Sequence, residues 1–165
     1  MWCVGILDDY ADASVIQYFA YCINLEKWEN LSIAEKLVIP QPERPLTARE
    51  DSSTGLGQIF AETAGIARNV ALNLGLITGN TYNHNDWHQR MDMWDSLHYD
   101  NEFNIKMVTL NIFACAVDKG LSIDFYSYSA NSIRSIFERY NGFGDDAIQY
   151  ATECYEYYLI FDRYS

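Results

Sequence analysis

Apolar residues along this chain recur mostly at the three- and four-residue spacing of an amphipathic helix, and convincing two-residue alternation is scarce, so the pattern predicts an all-α domain. Val15, Ile16, Phe19, Cys22 and Ile23 predict a helix over about residues 11–25. Ser32 offers an N-cap for a helix over 33–39, with Glu35 at the third helical position completing a capping box. Pro40, Pro42 and Pro45 end that helix and stiffen the segment after it. Ile59, Phe60, Ala64, Ala67, Val70, Ala71 and Leu74 make an apolar stripe over about 57–74, with Gly75 as its C-cap and Thr78-Gly79-Asn80 as a turn. Asn85 or Asp86 caps a helix running through about Leu97. Asp100 caps the most hydrophobic helix, the candidate for the central one, which carries Phe103, Met107, Leu110, Phe113, Ala114 and Val117 before Gly120. Two more helices are expected over about 130–140 and 145–162, separated by Asn141-Gly142-Phe143-Gly144. Between 121 and 128 the alternation of Ile123 and Phe125 is compatible with a short extended piece.

Length and composition bound this picture without sharpening it. A chain of 165 residues, 49% hydrophobic and 15% aromatic, fits a single domain over 1–165 with one sizeable core. Charge excludes more. With 23 acidic against 11 basic side chains the net charge is −12, which opposes binding to nucleic acid, where Lys and Arg must displace counterions from phosphate, and opposes anionic membranes. No run approaches the ~18 apolar residues of a membrane span, and Met1–Asp9 lacks the basic region of a secretory signal. Cys3, Cys22, Cys115 and Cys154 are widely scattered, with Cys22 and Cys115 on apolar stretches, so buried free thiols are expected rather than disulfides.

The most informative stretch is Ser52-Ser53-Thr54-Gly55-Leu56-Gly57-Gln58-Ile59, continued at once by Phe60-Ala61-Glu62-Thr63-Ala64: a polar turn with two glycines running into an amphipathic helix. Without side chains at Gly55 and Gly57, backbone there can lie close against a ligand. Upstream is an acid-rich segment, Glu43-Arg44-Pro45-Leu46-Thr47-Ala48-Arg49-Glu50-Asp51. Further on stand Asn104-Ile105 and then Arg139-Tyr140-Asn141-Gly142 with Ala147 and Tyr150-Ala151.

In this order these blocks resemble the lysozyme-like superfamily, in particular the soluble lytic transglycosylases and goose-type lysozymes. There an acidic residue precedes a Gly-Leu-Met-Gln-Ile type turn and a Thr-Ala pair, an Asn-Ile comes next, and a Tyr-Asn-Gly element precedes a Tyr-Ala and a final aromatic helix. The resemblance covers about residues 33–160. It implies an all-α lysozyme-like fold that cleaves the β-1,4 bond between N-acetylmuramic acid and N-acetylglucosamine in peptidoglycan, by lytic transglycosylation in preference to hydrolysis. No cofactor or metal is implied. By the same resemblance Glu43 is the general acid/base, with Glu50 as the alternative, because Pro42 and Pro45 flank Glu43 where the family has a continuing helix. Gln58, with Ser53 and Thr54, would line the cleft; Tyr140, Asn141 and Tyr150 would form the opposite wall. Export would depend on a partner system or on a larger protein.

Apart from the resemblance, the same residues have plainer roles. A carboxyl stays protonated near neutral pH only when burial raises its pKa, and most Glu residues are solvated. Tyr140-Asn141-Gly142 also describes a helix end and turn. His84, His88 and Asp92 share one face of a helix, with His98 nearby, a spacing able to hold zinc, although a mixed solvated face explains it equally. Trp87, Trp94 and Tyr82 offer either sugar-stacking surface or core. No Gly-x-Ser-x-Gly elbow and no phosphate-binding loop is present. The rival expectations are a catalytically silent helical binding module and a glycosidase acting on chitin-type substrates.

Overall fold

A computed structural model describes residues 5–164, with side chains from Ala11 onward. Among the described residues the chain forms seven α-helices and no strand: α1 (Gly5–Glu29), α2 (Ile33–Lys36), α3 (Ala61–Asn73), α4 (Trp87–Tyr99), α5 (Asn101–Asp118), α6 (Ala130–Asn141) and α7 (Asp145–Tyr164). The all-α class is as the periodicity predicts. No described helix is long and apolar enough to cross a membrane. Met1–Val4, including Cys3, lie outside the described residues. Cys22, Cys115 and Cys154 are free thiols, the first two buried.

Two compact units emerge, residues 1–65 with 82–105 and residues 66–81 with 106–165. In the first, α1 packs on α4, and Val15, Phe19 and Cys22 meet a core that includes Met93, Trp94 and Leu97. The rings of Phe19 and Trp94 touch edge to face, with centroids 6.2 Å apart. Gly65 lies directly beneath the ring of Tyr82, so close that a Cβ there would overlap its carbons. In the second unit Cys115, Ala116 and Ile136 form a small core, flanked by Ile112, Leu121, Tyr128 and Tyr140. There α6 packs on α7, which buries Ala147 and Ala151.

Local signals set most helix ends. Ser32 accepts from the Glu35 N–H while Glu35 reaches back to the Ser32 N–H, the reciprocal box expected for α2. Asp86 caps α4 through the His88 N–H, and Asp100 caps α5 through the Phe103 N–H. Gly75 and Gly120 both adopt positive φ, and Leu76 and Leu121 donate back to Ala71 and Ala116 in the closing motif of helices that end on glycine.

Several expectations are corrected. The helix expected over 33–39 stops at Lys36, because Pro40 disfavours helical backbone at Ile39. The helix expected from 57 begins at Ala61, because Gly57 and Gln58 belong to a turn closed by pairing of Thr54 with Ile59. Residues 121–128 hold a short 3-10 turn, Phe125–Ser127, and no extended piece. Ile16, Phe60 and Val117 are exposed, since the apolar stripes are wider than the faces actually covered. Trp94 and Tyr82 are buried and cannot offer stacking surface to a sugar.

Candidate functional site

The turn that stood out in the sequence is built by its neighbours. Thr54 and Ile59 pair as an isolated antiparallel bridge, exchanging N–H···O bonds of 3.2 and 3.3 Å, which closes residues 55–58 into a loop. Gly55 turns with φ +69°, where a Cβ would lie 2.1 Å from Asn104 Nδ2 and 2.4 Å from the Leu97 carbonyl oxygen. Glycine is therefore required here both for its dihedral and for the close approach. Gln58 carries φ +47°, uncommon for a residue with a side chain. Its own amide compensates by donating from Nε2 to the Gly55 carbonyl at 2.9 Å, while Ser53 Oγ donates to its Oε1 at 3.3 Å.

Asn104 locks the loop from behind. Fully buried in the first turn of α5, it donates to the carbonyls of Thr54 and Leu97, both at 3.1 Å, and accepts from the Gly57 N–H at 2.8 Å. The Asn of the second sequence block thus holds the glycine turn of the first. Asp51 fixes the other end: its two oxygens accept from the Ala61 and Glu62 N–H groups at 3.0 and 2.8 Å and so set where α3 starts. Burial raises its carboxyl above the usual range, against the opposing pull of those backbone donors.

A polar network runs under the turn. Trp94 Nε1 donates to Ser52 Oγ at 3.2 Å, and Ser52 Oγ donates to Asp12 Oδ1 at 3.2 Å. His98 Nδ1 lies 2.8 Å from Thr54 Oγ1 and 3.4 Å from Asp12 Oδ2, its ring stacked on Trp94 at 4.8 Å. Thr54 is buried and committed to these contacts, which corrects its assignment as a substrate-contacting side chain. Asp12 went unnoticed in the sequence because it belongs to α1 and meets Ser52 only in the fold.

The candidate acids fare differently. Glu43 is exposed and makes no hydrogen bond or ion pair among the described residues. Glu50 is clamped by Arg44 and Arg90, each with Nη1 at 2.9 Å from a carboxylate oxygen. These hydrogen bonds hold its carboxyl below the usual range, Arg44 contributing most. A carboxylate so stabilised is a poor proton donor near neutrality, so the alternative acid is corrected to an ion-paired residue of the 44–50 loop.

Ser53, Gln58 and the buried Thr54 lie together in the first unit. Tyr140, Asn141 and Tyr150 lie in the second. There Tyr140 and Tyr150 stack at 6.4 Å across α6 and α7, and Asn141 closes α6 ahead of Gly142. Burial pushes the Tyr140 phenol up to about 12, and burial with a Cys154 contact raises Tyr150 as well. His88 pairs with Glu26 at 3.2 Å and with Asp86 at 3.4 Å, and its ring stacks on Trp87. Among the described residues no cluster of three His, Cys, Asp or Glu side chains could hold a metal.

Comparison with protein-family models, with curated proteins and with solved structures gives no match to this chain.

Proposed function

We propose that the chain is a peptidoglycan-cleaving glycosidase, a lytic transglycosylase or muramidase acting on the β-1,4 bond between N-acetylmuramic acid and N-acetylglucosamine, with Glu43 as its acid. The observation that carries this reading is the contact between Asn104 and the Gly55–Gln58 turn. Two blocks of the resemblance, 47 residues apart at Gly57 and Asn104, meet in two hydrogen bonds, and a third from Asn104 to the Leu97 carbonyl ties the turn to the end of α4. A loop so rigidly built, with Leu56 and Gln58 exposed at its tip, suits recognition of an N-acetyl group against backbone that carries no obstructing side chain.

Glu43 in the free chain is hydrated, and a bound glycan strand supplies the missing dehydration. A strand lying over the carboxyl places it beside the departing oxygen that it protonates. The strongly acidic surface means that attraction to anionic wall polymers contributes nothing, and affinity rests on contacts made at the turn.

The decisive experiment is release of soluble muropeptides from purified peptidoglycan at low salt between about pH 5 and 8, the range in which a raised carboxyl acts. Glu43→Gln is expected to keep the melting temperature and to abolish release. Mass spectrometry then separates 1,6-anhydro ends from reducing ends, and chitin oligomers run in parallel test the sugar. A second reading, a catalytically silent glycan-binding module, is favoured by the exposure of Glu43 and the pairing of Glu50. Sedimentation of the chain with insoluble peptidoglycan, without release of any fragment, would establish it.

A further inference from the structure

Both routes of glycoside cleavage require a second proton movement: the attacking oxygen, from water or from the sugar's own 6-hydroxyl, must lose its hydrogen. Neither Glu50, held as a carboxylate by two arginines, nor Asp51, with both oxygens on backbone N–H groups, has the freedom to take it. The network under the turn holds a group that does. His98 Nδ1 is hydrogen-bonded to Thr54 Oγ1 at 2.8 Å and stands 3.4 Å from the Asp12 carboxylate, an ion-pair contact. The anionic Asp12 oxygen beside Nδ1 favours the hydrogen on that nitrogen, which leaves Nε2 as a lone-pair acceptor. Nε2 has no hydrogen-bond partner among the described residues, and the side chain is 28% exposed while Asp12 is 15% exposed. Trp94 stacks on one face of the ring and Tyr99 meets it edge-on at 4.4 Å, so the imidazole is fixed in orientation. A carboxylate beside a locked, partly exposed imidazole whose second nitrogen is left without a partner among the described residues is the arrangement of a general base.

We propose that His98, oriented by Asp12 beside the Gly55–Gln58 turn, accepts the proton of the oxygen that attacks the anomeric carbon. This rests on the glycosidase reading. The attacking oxygen bonds to the anomeric carbon and gives its hydrogen to Nε2. The glycosidic C–O bond breaks, its electron pair stays with the leaving oxygen, and that oxygen takes the proton of Glu43. Exchange of one proton through solvent from His98 to Glu43 restores both groups. Thr54 is no nucleophile in this scheme, because it shares Nδ1 with Asp12 and does not face Nε2.

The test joins kinetics to spectroscopy on the full chain. His98→Asn puts an amide N–H where Nδ1–H was, keeping the tie to Thr54 and Asp12 while removing Nε2. Its melting temperature is expected to stay near wild type, with kcat for muropeptide release down about 100-fold or more and KM unchanged, the usual size of a general-base contribution. The imidazole 15N shifts of wild type should report hydrogen on Nδ1, and Asp12→Asn should move it toward Nε2. Wild-type cleavage with His98→Asn within about threefold of its kcat, or hydrogen on Nε2 in wild type, overturns the base role and leaves the glycosidase reading standing. No cleavage by wild type overturns both. Reducing ends identify water as the attacking oxygen; anhydro ends identify the 6-hydroxyl.

Discussion

Asn104 to Ala is the sharpest perturbation of the scaffold beneath the proposed site. The side chain is wholly buried and makes three hydrogen bonds to backbone, two through Nδ2 to Thr54 and Leu97 and one through Oδ1 from Gly57. At a net contribution of about 1 kcal/mol per bond, with a further penalty for buried backbone groups left poorly solvated, the loss is about 3–4 kcal/mol. For a chain of this size that corresponds to a melting temperature lower by about 6–16 °C. Thermal unfolding monitored by circular dichroism reads it directly. Asn104→Asp separates hydrogen bonding from volume: it keeps the acceptor for Gly57 but sets a second oxygen against two carbonyl oxygens. It should therefore be at least as destabilised as Asn104→Ala at pH 7 and recover partly in acid, once the carboxyl can donate. A shift under 2 °C for Asn104→Ala would refute the claim that this residue holds the turn.

The same geometry sets other expectations. Gly55→Ala combines the cost of a left-handed backbone with overlap against Asn104 and Leu97, and should lower stability by about 2–4 kcal/mol in chemical denaturation. Glu50→Gln should cost no more than about 1 kcal/mol per lost ion pair at pH 7, because both pairs are partly exposed. The sign with pH is fixed. A carboxyl lowered in the folded state stabilises fully above its unfolded value, and that stabilisation disappears as pH falls through the folded value. The gap between wild type and Glu50→Gln in melts should therefore close below about pH 4. Activity should survive that substitution while Glu43→Gln and His98→Asn lose it.

Features decided by neighbours in the chain were legible beforehand. The Ser32–Glu35 box, the Asp86 and Asp100 caps and the glycine endings at Gly75 and Gly120 each depend on a few consecutive residues, and each forms as expected. The start of α3 was misplaced for the opposite reason. The apolar stripe continues back through Ile59, but the helix can begin only where its first N–H groups find acceptors, and those acceptors belong to Asp51, ten residues before Ala61. Trp94 and Tyr82 show the same limit, since an aromatic side chain reads identically whether it faces a groove or, as here, the core.

The acid was harder still, because proton donation depends on solvent and on charges that no local pattern records. Glu50 answers to Arg44, six residues away, and to Arg90, 40 residues away, and both hold its carboxyl down. Ser52 and Asp12 are likewise 40 residues apart, and His98 is 44 from Thr54. The turn could be recognised because Gly55 answers to a dihedral and a close approach that glycine alone allows. The proton-handling groups around it had to wait for the fold, since a carboxylate or an imidazole acquires its chemistry from its surroundings. By that logic the proposed acid, Glu43, exposed in the free chain, would act only while a glycan strand covers it. Glu43→Gln should therefore abolish cleavage without disturbing the turn, whose shape Asn104 has already set.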